Sequence, residues 1–124
     1  MTQPLALLLY ERLLPGSQLV NRLQDLNYRV QTLNDPALLV ESAEQARPLL
    51  VLVDLNSTRA DVRAAIALLK QNPATRHLPV IAFGAQDAPE LETAARDAGA
   101  SLLVSDAAIL SQLPECLQQA LQVE

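Results

Sequence analysis

The stretch Leu49–Thr58, LLVLVDLNST, decides how this chain reads. Five apolar residues in a row end in one carboxylate, Asp54. The run is of strand length and does not alternate. That is the pattern of a strand buried on both faces, as in a parallel sheet covered by helices. An acid at the end of such a strand has two readings. It is a chemical site, or it is the polar stop of a core strand, hydrogen-bonded to amides of the following loop near Ser57 and Thr58.

Strand-like and helix-like segments alternate on either side of this run. LALLLY (Leu5–Tyr10) is another apolar strand, after which Pro15, Gly16 and Ser17 mark a helix start. Leu19, Val20, Leu23 and Leu26 then recur at helical spacing. YRVQTL (Tyr28–Leu33) alternates as a half-exposed edge strand does. Asp35 followed by Pro36 predicts an N-cap and first helical residue. That helix turns Leu38, Leu39, Ala43 and Ala46 inward and ends near Pro48.

Downstream of Asp54 the pattern repeats. Ser57 or Thr58 caps a helix running to about Gln71, with Val62, Ile66 and Leu69 on one face and Asn72-Pro73 as its stop. LPVIAFG (Leu78–Gly84) is a further buried strand. Asp87 and Glu90 form a capping box for a helix with Leu91, Ala94, Ala95 and Ala98 inward. Gly99 supplies the left-handed residue past its end. ASLLVS is a short last strand, and Ser111 opens a final helix with Leu113, Cys116, Leu117, Ala120 and Leu121 inward. Pro114 is tolerable there in the first turn.

Buried, non-alternating strands joined by helices predict an α/β fold: a five-stranded parallel sheet, doubly wound, in three α/β/α layers. No linker or second domain interrupts residues 1–124. In such sheets, function lies outside the carboxyl ends of the strands, where the strand order reverses. Those ends carry Tyr10 and Glu11, Asp54 and Asn56, Gly84, then Ser105 and Asp106. Strands one and three are neighbours at the reversal, so Glu11 and Asp54 are expected close enough to hold a hard cation.

Composition removes several classes. A formal charge of −5 disfavours nucleic-acid binding, which needs a basic footprint. A single cysteine, Cys116, excludes an internal disulfide and a cysteine-based metal cluster. No apolar run approaches the ~20 residues of a membrane span. MTQPLALLLYER lacks the basic region and cleavage site of a secretory signal, so the chain is expected to be cytoplasmic. His77 has no histidine or cysteine partner and reads as a loop residue; Cys116 reads as a buried thiol. ERLLPGSQL is too poor in glycine and hydroxyls for a nucleotide phosphate loop, and Ser105-Asp106 lacks the glycines of a hydrolase elbow. The chain is not expected to be an enzyme.

The order of elements, the acid ending strand three, the LPVIAFGA strand and the GASLLVS turn-and-strand together resemble the response-regulator receiver domain, a flavodoxin-like (βα)5 fold. The resemblance spans nearly the whole chain. It implies that Asp54 occupies the phosphoacceptor position and that Glu11, Asp54 and the Asn56 carbonyl form a magnesium site. It also exposes departures. The acidic pair ending strand one is Tyr10-Glu11, the hydroxyl residue ending strand four is Gly84, the lysine after strand five is Asp106, and the proline after it is Ala107. The switch aromatic of strand five is Leu103. Phosphorylation adds about two negative charges, and an acid in the lysine's place opposes them. The resemblance is to a degenerate, or pseudo-, receiver.

The expected function is a signalling module of two-component or phosphorelay type that acts by protein–protein contact. No cofactor is expected, with weak magnesium binding kept as the one alternative. The expected partner is a kinase or downstream effector, with homodimerisation as a further expectation. Leu91, Val104, Ile109, Leu110 and Leu113 are read as the contact surface, because so many apolar residues around one short strand exceed what the domain's own core needs. One alternative is a working receiver that takes phosphate on Asp54 with magnesium. Another is a small-ligand-binding flavodoxin-like domain. No effector domain is expected after the last helix, so output is expected to pass to a partner or to come from a longer parent chain.

Overall fold

The computed structural model describes residues 4–10, 13–33, 35–55, 62–84 and 89–122. Five parallel strands, β1 (Leu5–Leu9), β2 (Arg29–Leu33), β3 (Leu50–Asp54), β4 (Val80–Phe83) and β5 (Leu102–Val104), form one sheet in the order β2-β1-β3-β4-β5. The helices are α1 (Leu13–Asp25), α2 (Leu39–Ala46), α3 (Val62–Gln71), α4 (Pro89–Ala98), α5 (Asp106–Ser111) and α6 (Leu113–Gln122). β3 is central, and all five of its residues are buried. β2 lies at an edge with only Val30 and Leu33 partly buried, as its alternation predicts.

Strand alternation sorts the core into two halves. Leu7, Leu9, Val51, Val53, Val80 and Ala82 pack beneath residues of α2, α3 and α4. Ala6, Leu8, Leu50, Leu52, Ile81 and Phe83 pack beneath residues of α1, α5 and α6. With hardly any aromatic residues, this core is a Leu-Val-Ile-Ala interior. Each fully buried leucine stabilises it by about 1.5–3 kcal/mol.

Several boundaries differ from the sequence expectation. α1 begins at Leu13, two residues before Pro15. Proline is accepted there because the first-turn N–H groups have no intrahelical partner. Asp35 does cap, its Oδ1 accepting from the Ala37 amide at 3.0 Å, but what it opens is a 3-10 turn, Pro36–Leu38, that leads into α2. Leu38 is consequently 44% exposed rather than inward. The last helical segment is two helices. Pro114 has no N–H and would collide with the carbonyl of Leu110 in a continuous helix. The backbone therefore breaks at Gln112 (φ −122°, ψ 30°). Ser105, not Ser111, is the cap that opens this region: its Oγ accepts from the Ala108 amide at 3.0 Å. Expected helix starts at Ser57 or Thr58 and at Asp87 lie outside the described residues.

Candidate functional site

The carboxyl edge of the sheet is built around Asp54, the last residue of β3 and completely buried. On one side it stands in register with Phe83 of β4. On the other, Leu9 pairs with Val53, so Tyr10 and Asp54 are the next neighbours along β1 and β3. The chain leaving the acid stays anchored, with the Leu55 amide donating to the Phe83 carbonyl at 3.0 Å and Leu55 itself buried. Expected ligands Glu11 and Asn56 lie outside the described residues. Among those described, no group of three His, Cys, Asp or Glu could hold a metal.

Tyr10 is tied into the sheet by its amide, which donates to the Leu33 carbonyl at 2.9 Å, and its side chain packs on the α1-side core. Its ring lies against Gly16 of α1 so closely that a Cβ at residue 16 would overlap it. Gly84 is buried, its amide donates to the Val104 carbonyl at 3.1 Å, and its φ of +91° lies in the left-handed region. Side-chain-bearing residues rarely adopt that conformation.

Asp106 is the first residue of α5, preceded by its cap Ser105. An acid in the first turn is favoured by the helix dipole.

The apolar residues read as a contact surface divide differently. Ile109 is 0% exposed and Leu113 1% exposed. Both sit in the core cluster with Leu19, Leu23 and Phe83, and Val104 and Leu110 lean on the same cluster. The expectation of an outward face fails for Ile109 and Leu113, because α5 and α6 together cover the sheet where one helix was expected. The side chain of Leu91 lies outside the description. Among the described residues, the large apolar side chains that do face outward are Leu38, Leu49 and Leu68. His77 is exposed in the loop before β4 and Cys116 is buried, both as expected. Burial, with the nearby Glu115 charge, pushes the Cys116 thiol pKa up.

One residue that sequence reasoning passed over is Lys70, the only lysine in the chain. It ends α3 at the amino edge of the sheet, away from Asp54. Its Nζ donates to the carbonyls of Leu78 at 2.6 Å and Arg76 at 3.3 Å. Burial lowers its pKa. A count of lysines would have shown that only one such side chain existed; only the fold shows where it is engaged.

This architecture has close counterparts among solved structures. The receiver domain of the sensor histidine kinase PA1611 from Pseudomonas aeruginosa PAO1, which holds a magnesium ion in its active-site cleft, superposes with a TM-score of 0.87 at 22% identity, covering 98% of this chain and 99% of that one. The signal receiver domain of a histidine kinase from Syntrophus aciditrophicus gives 0.84 at 19% identity, over 96% and 90%. The response-regulator domain of Thermotoga maritima CheB gives 0.82 at 15% identity, over 99% of each chain. No family model matches the chain, and no curated protein matches it by sequence. The chain thus has the receiver, CheY-like fold. Among the described residues, no helix is long and apolar enough to cross a membrane.

Proposed function

We propose that this chain is a receiver-like signal-transduction module of the two-component type. It catalyses nothing itself and works in the cytoplasm by contact with a kinase or downstream effector, its phosphoacceptor pocket being impaired. The observation that carries this reading is the place of Lys70. An acyl phosphate on Asp54 brings about two negative charges to the sheet edge. The chain's only lysine is engaged with two carbonyls at the opposite edge, and the position after β5 holds Asp106. The missing hydroxyl at Gly84 and the phenol ring at Tyr10 act in the same direction.

The test is incubation with a small phosphodonor and magnesium, followed by intact-mass measurement. No mass increment is expected. A stable increment that disappears in Asp54→Asn would establish the alternative, a phosphorylatable regulator using Asp54 with magnesium. The retained acid at the end of β3 and the magnesium-bearing Pseudomonas neighbour favour that second reading.

A further inference from the structure

Tyr10 and Asp54 share more than adjacency. Leu8 and Leu52 are registered and belong to the α1-side core; Leu9 and Val53 are registered and belong to the opposite half. One further step of alternation returns both Tyr10 and Asp54 to the α1 side. Phe83, the other registered neighbour of Asp54, is on that side too and is fully buried. The acid therefore lies in a row between two aromatic rings. Phe83 closes the side towards β4. Tyr10, half-buried, is the outer of the two, and Gly16 lets α1 come down directly on its ring.

We propose that the Tyr10 ring, pressed between α1 and the sheet through Gly16, is a built-in cover that keeps the Asp54 carboxylate from small electrophiles. This rests on the reading of Asp54 as the inert phosphoacceptor position, and it assigns a cause that is separate from the missing lysine. A carboxylate attacks phosphorus only if the electrophile reaches a distance of about 3–3.5 Å in line with it. An acid with no exposed surface makes no such approach until its neighbours open. The cover is the ring, not the hydroxyl, since the ring carbons are what meet Gly16.

The experiment is carboxyl labelling by a carbodiimide and an amine, mapped by peptide mass spectrometry, with exposed Asp97 as the internal reference. This chemistry needs neither lysine nor magnesium. In the wild-type chain, Asp54 is expected to label on the order of tenfold or more slowly than Asp97, because a buried group reacts only from locally opened states. Tyr10→Ala and Gly16→Ala, the second of which displaces the ring without removing it, are each expected to raise the Asp54 rate towards that of Asp97. Tyr10→Phe is expected to leave it slow. Circular dichroism confirms that each variant remains folded, and Gly16→Ala carries the test should Tyr10→Ala unfold. Labelling of wild-type Asp54 at the Asp97 rate would overturn the cover, as would slow labelling in both folded opening variants or fast labelling in Tyr10→Phe. Fast wild-type labelling together with no phosphate uptake would sink the cover and leave the docking function standing.

Discussion

Lys70 reaches from the end of α3 to the carbonyl oxygen of Leu78, its Nζ 2.6 Å away, and binds the helix to the loop that feeds β4. The same side chain forms the floor under Gly99, where α4 turns into β5. A Cβ there would fall 2.5 Å from Lys70 Cγ, and φ at Gly99 is +123°. One lysine thus joins α3, the loop before β4 and the α4–β5 turn at the amino edge.

Lys70→Met is expected to lower stability by about 1–3 kcal/mol in urea unfolding, since two carbonyl acceptors lose their donor. Gly99→Ala is destabilising for two reasons, backbone strain and overlap with the lysine stem. In a Lys70→Ala background its cost falls, leaving the strain alone; a double-mutant cycle reads the difference. Additive effects would show that the two residues do not meet.

The same lysine sets a pH dependence. Its folded-state pKa lies below the usual 10.5, through burial. The unfolded chain therefore binds this proton more tightly than the folded one, and stability attributable to Lys70 rises with pH in the window just under 10.5. The urea midpoint of the wild-type chain relative to Lys70→Met is expected to climb through that window. A flat or falling difference would contradict the burial of the ammonium group.

Cys116 has the opposite sign. Burial and Glu115 raise its folded pKa above the ordinary 9.0. Its contribution is complete below that value and is lost as pH rises through the folded pKa. Compared with Cys116→Ala, the wild-type chain should lose relative stability above pH 9.0. At neutral pH the thiol should react with a maleimide far more slowly than a free cysteine, because little thiolate forms in apolar surroundings.

Gly84→Ser tests what a hydroxyl at the end of β4 does. With φ at +91° the substitution is expected to cost about 1–2 kcal/mol. The variant should still take no phosphate from a small donor, since no ammonium group is gained. Intact mass and thermal unfolding report the two outcomes.

The burial of α5 and α6 separates a core role from a contact role. Ile109→Ala and Leu113→Ala are each expected to destabilise the chain by about 2–5 kcal/mol, as buried large-to-small changes do. Leu68→Ala, at a side chain 58% exposed, should stay within about 0.5 kcal/mol of wild type. Chemical denaturation of the three variants decides between the two roles.

Sequence by itself determined the architecture. Solid apolar runs of strand length, bounded by turn residues, fit strands covered on both faces, and the 3.6-residue spacing between them fits amphipathic helices, so the parallel sheet with Asp54 at its carboxyl edge was legible from local pattern. It also placed Tyr10, Gly84 and Asp106 near that edge. Tertiary structure alone decided what occupies the space. The Tyr10 ring against Gly16, the positive φ of Gly84, the inward turn of Ile109 and Leu113, and the engagement of Lys70 at the far edge all depend on how whole elements pack on one another. Periodicity states which face of an element is apolar; close packing of whole elements fixes which neighbour that face meets and how near it comes.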